Sequence, residues 1–314
     1  MSDVGIVIVT YNSEREIGGS LDAALRTGAD VVVVDNASSD GTLTEIARRG
    51  AEIARRGVQL IANPANRGFA AAANQGFAVL TSPYILLLNP DSVLVSGLEA
   101  LRAACDLPGA AAAGGRLLDG GGNPQIGFMV RRFPTAVTLI SEVLGLNRIW
   151  PNSPANRRYR ALDLDYSKLQ EVEQPAGALL MVRREVWHEL GGFDEGFFPL
   201  WFEDVDFCRR LADRGYRLYY APQAVAKHTG GHSISNLTVE MRRVYWYGSL
   251  LRYATRHFRP LAFRAVCLAV VAGSFPRAIV ESASGRSLKP MAAYGKVVRL
   301  ASRCFLGGWG SGLV

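Results

Sequence analysis

The apolar run Tyr84 to Leu88 stops abruptly at Asn89-Pro90-Asp91-Ser92. Asn-Pro and Asp-Ser are turn-forming pairs, so a plain turn is one reading. Three other apolar runs stop in the same way. VGIVIV runs into Thr10-Tyr11-Asn12, VVVV ends at Asp35-Asn36, and QLIA is followed by Asn63 to Gly68. Ionised carboxylates only accept hydrogen bonds, whereas amides both donate and accept. A set of such groups at successive strand ends can hold a polar ligand. Ligands of open α/β sheets bind outside the carboxyl ends of the strands. A purely structural protein has little reason to place polar side chains at four of them.

These residues need a sheet to converge. Residues 4–10 and 31–34 are near-continuous β-rich runs, as in strands buried on both faces. Gln59 to Ala62 and Tyr84 to Leu88 supply two more strands. Helices are expected over Ser13 to Arg26, Thr42 to Arg56 and Ala70 to Leu80, with SSDGT as a helix start. Within the second helix, EIARRG at 45–50 recurs at 52–57, a local duplication on a surface helix. The pattern β-α-β-α-β-α-β with short connections predicts a mostly parallel sheet flanked by helices. From 109 to 175 the periodicity weakens, and RRFPT and WPNSPANRRYR look irregular and mobile. GALLMVRREVW resumes as a strand entering a helix. WFEDVDFCRRLADRGYRLYYAP reads as a helix closed by Gly215, then a strand. Residues 238–259 read as an amphipathic helix and 261–280 as an apolar one.

The chain has 314 residues, 49% hydrophobic and 20% charged, enough to bury a large core. Cys105, Cys208, Cys267 and Cys304 are scattered, with no CxxC pair, and are expected to be reduced thiols. The first residues enter a strand at once, so no signal peptide is expected. Charge is uneven. Residues 242–314 hold ten Arg and two Lys against one acid, Glu281, a net of +11; residues 1–241 hold 23 bases and 27 acids, a net of −4. Such asymmetry points to an acidic partner surface, phospholipid or nucleic acid.

Seven stretches, in order, resemble the family 2 inverting glycosyltransferases of the GT-A fold, especially rhamnosyltransferase-like members. They are VIVTYNSE, VVVVDNASSDGT, NPANRGFAAAANQG, ILLLNPDS, GALLMVRREVWHELGGFDEGFF, WFEDVDFCRRLADRGYRLYYAP and HTGGHS, covering about residues 4 to 235. The resemblance implies a Rossmann-like nucleotide-diphospho-sugar transferase fold with a C-terminal helical basic appendage. On that reading residues 1–235 form the transferase domain. Residues 1–108 are its nucleotide-binding half and 109–235 its acceptor and catalytic half, with 236–314 as the tail.

The resemblance also implies roles. The family's DXD-type metal motif reads here as Asn89-Pro90-Asp91. Asp91 would then ligate Mg2+ or Mn2+ on the donor diphosphate, and Asn89 offers an amide in place of the first acid. Asp35 would accept a hydrogen bond from N3–H of a uracil or thymine base, or instead cap the following helix. Thr10, Tyr11 and Asn12 would wall the base, and Asn36 beside Asp35 would belong to the nucleotide-sugar site. Arg67 would approach the base or diphosphate, or simply lie on the surface, and Gly68 would let the backbone approach. Asp204 would be the general base that takes the acceptor hydroxyl proton. Glu203 would orient the acceptor, or raise the Asp204 pKa by repulsion. The helix dipole alone would also favour Glu203, Asp204 and Asp206 at these positions, and Asp206 is assigned no chemistry. His228, 24 residues after Asp204 and just past the strand, would complete the metal shell, with His232 as a competitor. TGGHS would be a mobile loop closing over the donor. Trp201 and Phe202 would support the acceptor sugar, or pack in the core.

The segment 259–280 is apolar but carries Arg264 and is interrupted by Pro276. It is marginal for a span and better suited to lying on a membrane interface. Packing on the core or a homodimer interface are the alternatives. The implied donor is a dTDP- or UDP-sugar, with dTDP-rhamnose the first choice. The implied acceptor is a cell-surface glycan or polyprenyl-linked sugar, reached at the inner face of the cytoplasmic membrane through residues 242–303. A non-catalytic sugar-nucleotide-binding scaffold is the second class. Nucleic-acid binding is not expected, because no recognition motif accompanies the basic tail.

Overall fold

The computed structural model describes residues 2–50, 57–230 and 237–307. These fall into two compact units. Residues 2–50, 57–132, 160–195 and 203–230 form the first; residues 133–159, 196–202 and 237–307 form the second.

The first unit is built on a nine-stranded sheet. Its N-terminal half contains β1 (Val4–Thr10), α1 (Ile17–Arg26), β2 (Asp30–Asp35), α2 (Thr42–Ala47), β3 (Gln59–Ala62), α3 (Phe69–Val79) and β4 (Tyr84–Leu88). The strands lie in the order β3-β2-β1-β4, all parallel. All seven β1 residues are buried, so both faces of that strand are covered. Gly76 of α3 lets the helix sit tightly on β1, since a Cβ there would lie 2.5 Å from Val7 Cγ1. The expected helix over 13–26 begins only at Ile17, because Ser13 donates its N–H to Thr42 Oγ1 and turns the chain first. The second EIARRG copy lies outside the described residues except for Gly57.

The rest of the sheet comes from β5 (Ser92–Ser96), β6 (Ala110–Leu118), β8 (Gln170–Val172), β10 (Leu179–Arg183) and β11 (Arg217–His228). The order continues β4-β10-β6-β11-β5, with β8 on β11. Strand β10 is antiparallel to both neighbours, β11 is parallel to β6, and β5 is antiparallel to β11. A small ribbon pairs β7 (Val130–Arg131) with β9 (Gln174–Pro175). Helices α4 (Leu98–Cys105), α8 (Arg184–Leu190) and α9 (Glu203–Asp213) complete this unit. Phe77, Trp187, Phe193 and Phe207 form an aromatic cluster that fixes α9 against α3 and α8, with centroid distances of 3.7 to 5.3 Å. Such pairs contribute about 0.5–1.5 kcal/mol each beyond burial.

The second unit is helical. It contains α5 (Ala136–Leu144), α6 (Leu146–Ile149), α7 (Pro154–Tyr159), α10 (Val239–His257), α11 (Pro260–Gly285) and α12 (Lys289–Gly307). The segment expected to be irregular therefore includes α7. Pro276 does not end the apolar helix; α11 runs through it. Its ring removes one backbone bond, while Val266, Val270 and Gly273 on the buried face hold the helix in place.

Candidate active site

Parallel registration brings the first strand ends together. Thr10 of β1 pairs with Asp35 of β2, and Thr10 Oγ1 donates to Asp35 Oδ1 at 2.8 Å. Ser38 also donates to Asp35, from Oγ to Oδ1 at 2.6 Å and from N–H to Oδ2 at 3.0 Å. Asp35 is buried, and its carboxylate closes a turn as well as facing the strand ends. Asn12 sits at φ 51°, a left-handed position that Asn tolerates. Its Oδ1 accepts from Ser39 N–H at 2.8 Å, while its own N–H donates to Ser38 Oγ. Tyr11 is half-buried beside it.

Asn36 organises the next strand end. Its Oδ1 accepts from Arg67 N–H at 2.9 Å and Asn63 Nδ2 at 3.2 Å, and its Nδ2 donates to Asn66 Oδ1 at 2.8 Å. The amide is thus committed to the 63–68 loop. Gly68 opens α3 with φ 84° and ψ 159°, a conformation essentially confined to glycine. The Arg67 side chain is exposed.

The turn after β4 is where the far half of the sheet arrives. Asn89 N–H donates to Ala178 O at 3.2 Å, so the segment leading into β10 lies beside it. Asn89 Oδ1 is buried without a hydrogen-bond partner. The chain then turns into β5, whose Ser92 pairs with His228 of β11. His228 is therefore the last residue of a twelve-residue strand and not, as the sequence implied, past its end. That pairing brings His228 Nε2 to 3.6 Å from Asp91 Oδ1, with both side chains largely buried.

Gln125 Oε1 lies 2.9 Å from His228 Nδ1, and Gln125 Nε2 donates to His228 O at 2.8 Å. The amide orientation set by the second bond makes Nδ1–H the donor in the first. Phe128 stacks on the imidazole at 5.2 Å. Burial lowers the His228 pKa, with Asp91 opposing it, which favours the neutral ring. The Nε2 lone pair then faces a carboxylate oxygen. Two such donors suit a shared cation, and neutral imidazole beside carboxylate is a ligand set for Mn2+ or Mg2+. Among the described residues no cluster of three His, Cys, Asp or Glu side chains forms a fuller set. His232 lies outside the described residues.

Glu203 and Asp204 start α9. Asp204 Oδ2 accepts from Gly177 N–H at 3.0 Å and lies 3.4 Å from Gln174 Nε2; Oδ1 accepts from Val205 N–H at 2.8 Å. Burial raises the Asp204 pKa, and the Gly177 and Val205 amides and the charge of Arg131 oppose the rise. Gly177 is bound up with this contact, since a Cβ there would lie 3.2 Å from both Asp204 Cβ and Oδ2. Glu203 is buried, its Oε2 has no partner, and its pKa is pushed well up by burial and then by Asp204. Asp206 instead faces inward, in an ion pair with Arg210 at 2.8 Å. Arg210 also donates to Leu190 O and Gly192 O, so this pair anchors the preceding loop.

The structure thus connects Asn89, Ala178, Gly177 and Asp204 through two backbone contacts at the sheet edge that also carries Thr10, Asp35, Asp91 and His228. Gln125, Gln174, Gly177, Arg131 and Ser38 also belong to this edge, and sequence reasoning gave none of them a role in the site. Trp201 and Phe202 belong to the second unit. Both have left-handed backbone, φ 78° and 70°, a strained state for bulky residues. The Phe202 ring lies 5.6 Å from Tyr253 and 6.5 Å from Trp246 of α10.

Residues 5–187 match the model for glycosyl transferase family 2, and residues 156–295 match that for glycosyl transferase family group 2. The chain is 30% identical over 293 residues to N-acetylglucosaminyl-diphospho-decaprenol L-rhamnosyltransferase of Mycobacterium tuberculosis, covering 82% of this chain and 90% of that one. It is 28% identical over 266 residues to the pre-mycofactocin glycosyltransferase of the same organism, covering 81% of this chain and 48% of that one. Among solved structures, a mannosyltransferase from Pyrobaculum calidifontis in complex with GDP-Man and Mn2+ superposes with a TM-score of 0.55 at 19% identity, covering 98% of this chain and 88% of that one. The fold is the GT-A fold of sugar-transferring enzymes. The chain belongs to glycosyltransferase family 2 and resembles its rhamnosyltransferases.

Proposed function

We propose that the protein is an inverting glycosyltransferase that moves a sugar, rhamnose from dTDP-rhamnose as the first choice, to a polyprenyl-diphosphate-linked acceptor. The observation that carries this reading is the placement of Asp204. Its carboxylate is held by Gly177 N–H at the sheet edge where Asp91 and His228 meet. The rhamnosyl donor and the lipid-linked acceptor rest on the 30% identical relative, whose name specifies rhamnosyl transfer to a diphospho-decaprenol-linked sugar.

In this reading Asp204 accepts the proton of the acceptor hydroxyl as that oxygen attacks the anomeric carbon. The bond from that carbon to the donor phosphate breaks, and its electron pair leaves with the nucleoside diphosphate. Asp91 and His228 would hold a divalent cation that stabilises charge on the leaving diphosphate. Asp35 reads N3–H of a uracil or thymine base, with Thr10, Tyr11 and Asn12 shaping the wall and Asn36 anchoring the 63–68 loop of the nucleotide-sugar site. Gly68, Arg67 and Asn89 lie toward the diphosphate and ribose. Glu203, Trp201 and Phe202 serve the acceptor. The basic tail, residues 242–303, brings the enzyme to the inner face of the cytoplasmic membrane.

A thermal-shift screen of dTDP-rhamnose, UDP-glucose, UDP-N-acetylglucosamine and GDP-mannose, with and without Mn2+, tests the donor. The expected result is a Mn2+-dependent rise in Tm with dTDP-rhamnose, absent in Asp91→Ala. A larger shift with another nucleotide-sugar would replace rhamnose. Equal shifts in wild type and Asp91→Ala with metal would remove Asp91 as a ligand.

A further inference from the structure

Helix α11 has an exposed face that does not look like the outside of a water-soluble domain. Leu261, Leu268, Phe275 and Ile279 recur at spacings of seven, seven and four, on one side of the helix. They are 81%, 56%, 59% and 64% exposed, and neighbouring Val280 is 62% exposed. Only one charge, Arg264, interrupts this face, and its guanidinium leans over the Phe305 ring at 5.9 Å. The stripe runs for about 27 Å at 1.5 Å per residue. Apolar patches of this kind mark an interaction surface.

Charge identifies the partner. Exposed Arg256 and Arg259 precede the stripe, and exposed Arg286 and Lys289 follow it. The one acid of residues 242–314, Glu281, is taken by Arg243 at 2.8 Å and by the Tyr294 hydroxyl at 2.9 Å. A second copy docked stripe to stripe would set basic flank against basic flank in either orientation. An anionic lipid surface offers phosphates at both ends and acyl chains between them.

The geometry also decides between lying on the bilayer and crossing it. Among the described residues α11 is the one helix long and apolar enough to cross. Its other face is packed against protein. Val266 and Val270 are buried, and a Cβ at Gly273 would lie 2.1 Å from Val143 O. Arg277 donates to Val143 O and Glu142 O, tying α5 to the same face. Crossing would drag α12, with Lys296, Arg299 and Arg303, into hydrocarbon.

We propose that the Leu261-Leu268-Phe275-Ile279 face of α11 lies in the plane of an anionic bilayer, with the basic residues at its two ends on lipid phosphates. This deepens the membrane part of the proposed function and rests on that reading only for its purpose.

The test is vesicle flotation of the full chain, with neither donor nor polyprenyl acceptor present. Vesicles of phosphatidylcholine alone are compared with vesicles that also contain phosphatidylglycerol. The native protein is expected to float with the anionic vesicles. Leu268→Asp with Phe275→Asp should bind them about tenfold or more weakly. Arg286→Gln with Lys289→Gln, off the stripe, should weaken anionic binding and reduce the preference over neutral lipid. Circular dichroism and donor-nucleotide affinity of the variants report folding and the sugar-nucleotide site separately. Failure of this proposal is thereby distinguishable from failure of the transferase reading. Absence of flotation by the native protein overturns the proposal, as does equal flotation by the Asp variant. Light scattering that finds a native dimer and a monomeric Asp variant would also overturn it, assigning the face to a second copy.

Discussion

Gln125 grips His228 at two points, accepting Nδ1–H at 2.9 Å and donating to the histidine's own carbonyl at 2.8 Å. This fixes the ring with Nε2 toward Asp91 Oδ1. Residues that orient a metal-ligating histidine typically change metal affinity ten- to a hundredfold when removed, and Gln125→Leu is expected to fall in about that range. Calorimetry of donor-nucleotide binding should show the loss with Mn2+ and none without it. In 15N spectra, the His228 imidazole should change from one tautomer to a mixture. An unchanged spectrum together with unchanged Mn2+-dependent affinity would leave Gln125 a packing residue.

Asp204 must be ionised to act as a base, and burial raises its pKa above the ordinary aspartate value. Turnover should therefore fall as pH drops through that raised value, earlier than a solvent-exposed aspartate would impose. Asp204→Asn should lower kcat by about 10²–10⁴-fold, the usual contribution of general base catalysis, with donor affinity retained. Its residual rate should lack the acidic limb. A variant profile that keeps the limb would assign it to another group.

Glu203 offers a stability measurement. Burial, then repulsion by Asp204, raises its pKa well above that of an exposed glutamate. In strong acid both the folded and unfolded forms hold the proton, and the shift has no effect on stability. As pH rises past the unfolded value of about 4.3, the unfolded chain releases its proton first, so stability is lost until pH passes the raised folded value. Glu203→Gln removes that ionisation. It should raise Tm at neutral pH by about 2–4 °C per kcal/mol recovered, with the gain shrinking toward acid pH. A Tm difference independent of pH would contradict the linkage.

The N-terminal half of the fold was legible because its strands are buried on both faces and read as continuous Val, Ile and Leu runs. Their polar ends stood out for the same reason. Strand β6 was not legible, because AAAAGG has poor strand propensity by itself. It is a strand because its neighbours demand small residues: a Cβ at Gly114 would lie 2.4 Å from Pro175 Cβ, and one at Gly115 would lie 2.6 Å from Ala224 O. Missing β6 and β5 hid the pairing that brings His228 to Asp91. Gln125 left no local signal either, since its role exists only once β11 delivers His228, 103 residues further along the chain. Asp206 was legible only as part of an acidic run, and its inward ion pair depends on Arg210 one helical turn later.

Asn36 reads in sequence as part of the nucleotide-sugar site, and its side chain is spent on Asn63, Asn66 and the Arg67 amide. Asn63 is in turn paired in both directions with Gln75 of α3. Asn36→Leu keeps the side-chain size but strands the Arg67 N–H and removes one of the two donors to Asn66 Oδ1. Losing these part-buried bonds costs about 1 kcal/mol, toward the low end for unpaired groups, so the urea midpoint should fall by a corresponding amount. Gly68, at φ 84°, is hydrogen-bonded from its N–H to Asn66 Oδ1 at 2.8 Å. Loosening Asn66 should therefore relax the Gly68 backbone, which is proposed to approach the donor diphosphate. The expected kinetic signature is a raised KM for the nucleotide-sugar with kcat nearly unchanged. A fall in kcat at constant KM would place Asn36 in the chemistry itself and overturn its role as a loop anchor.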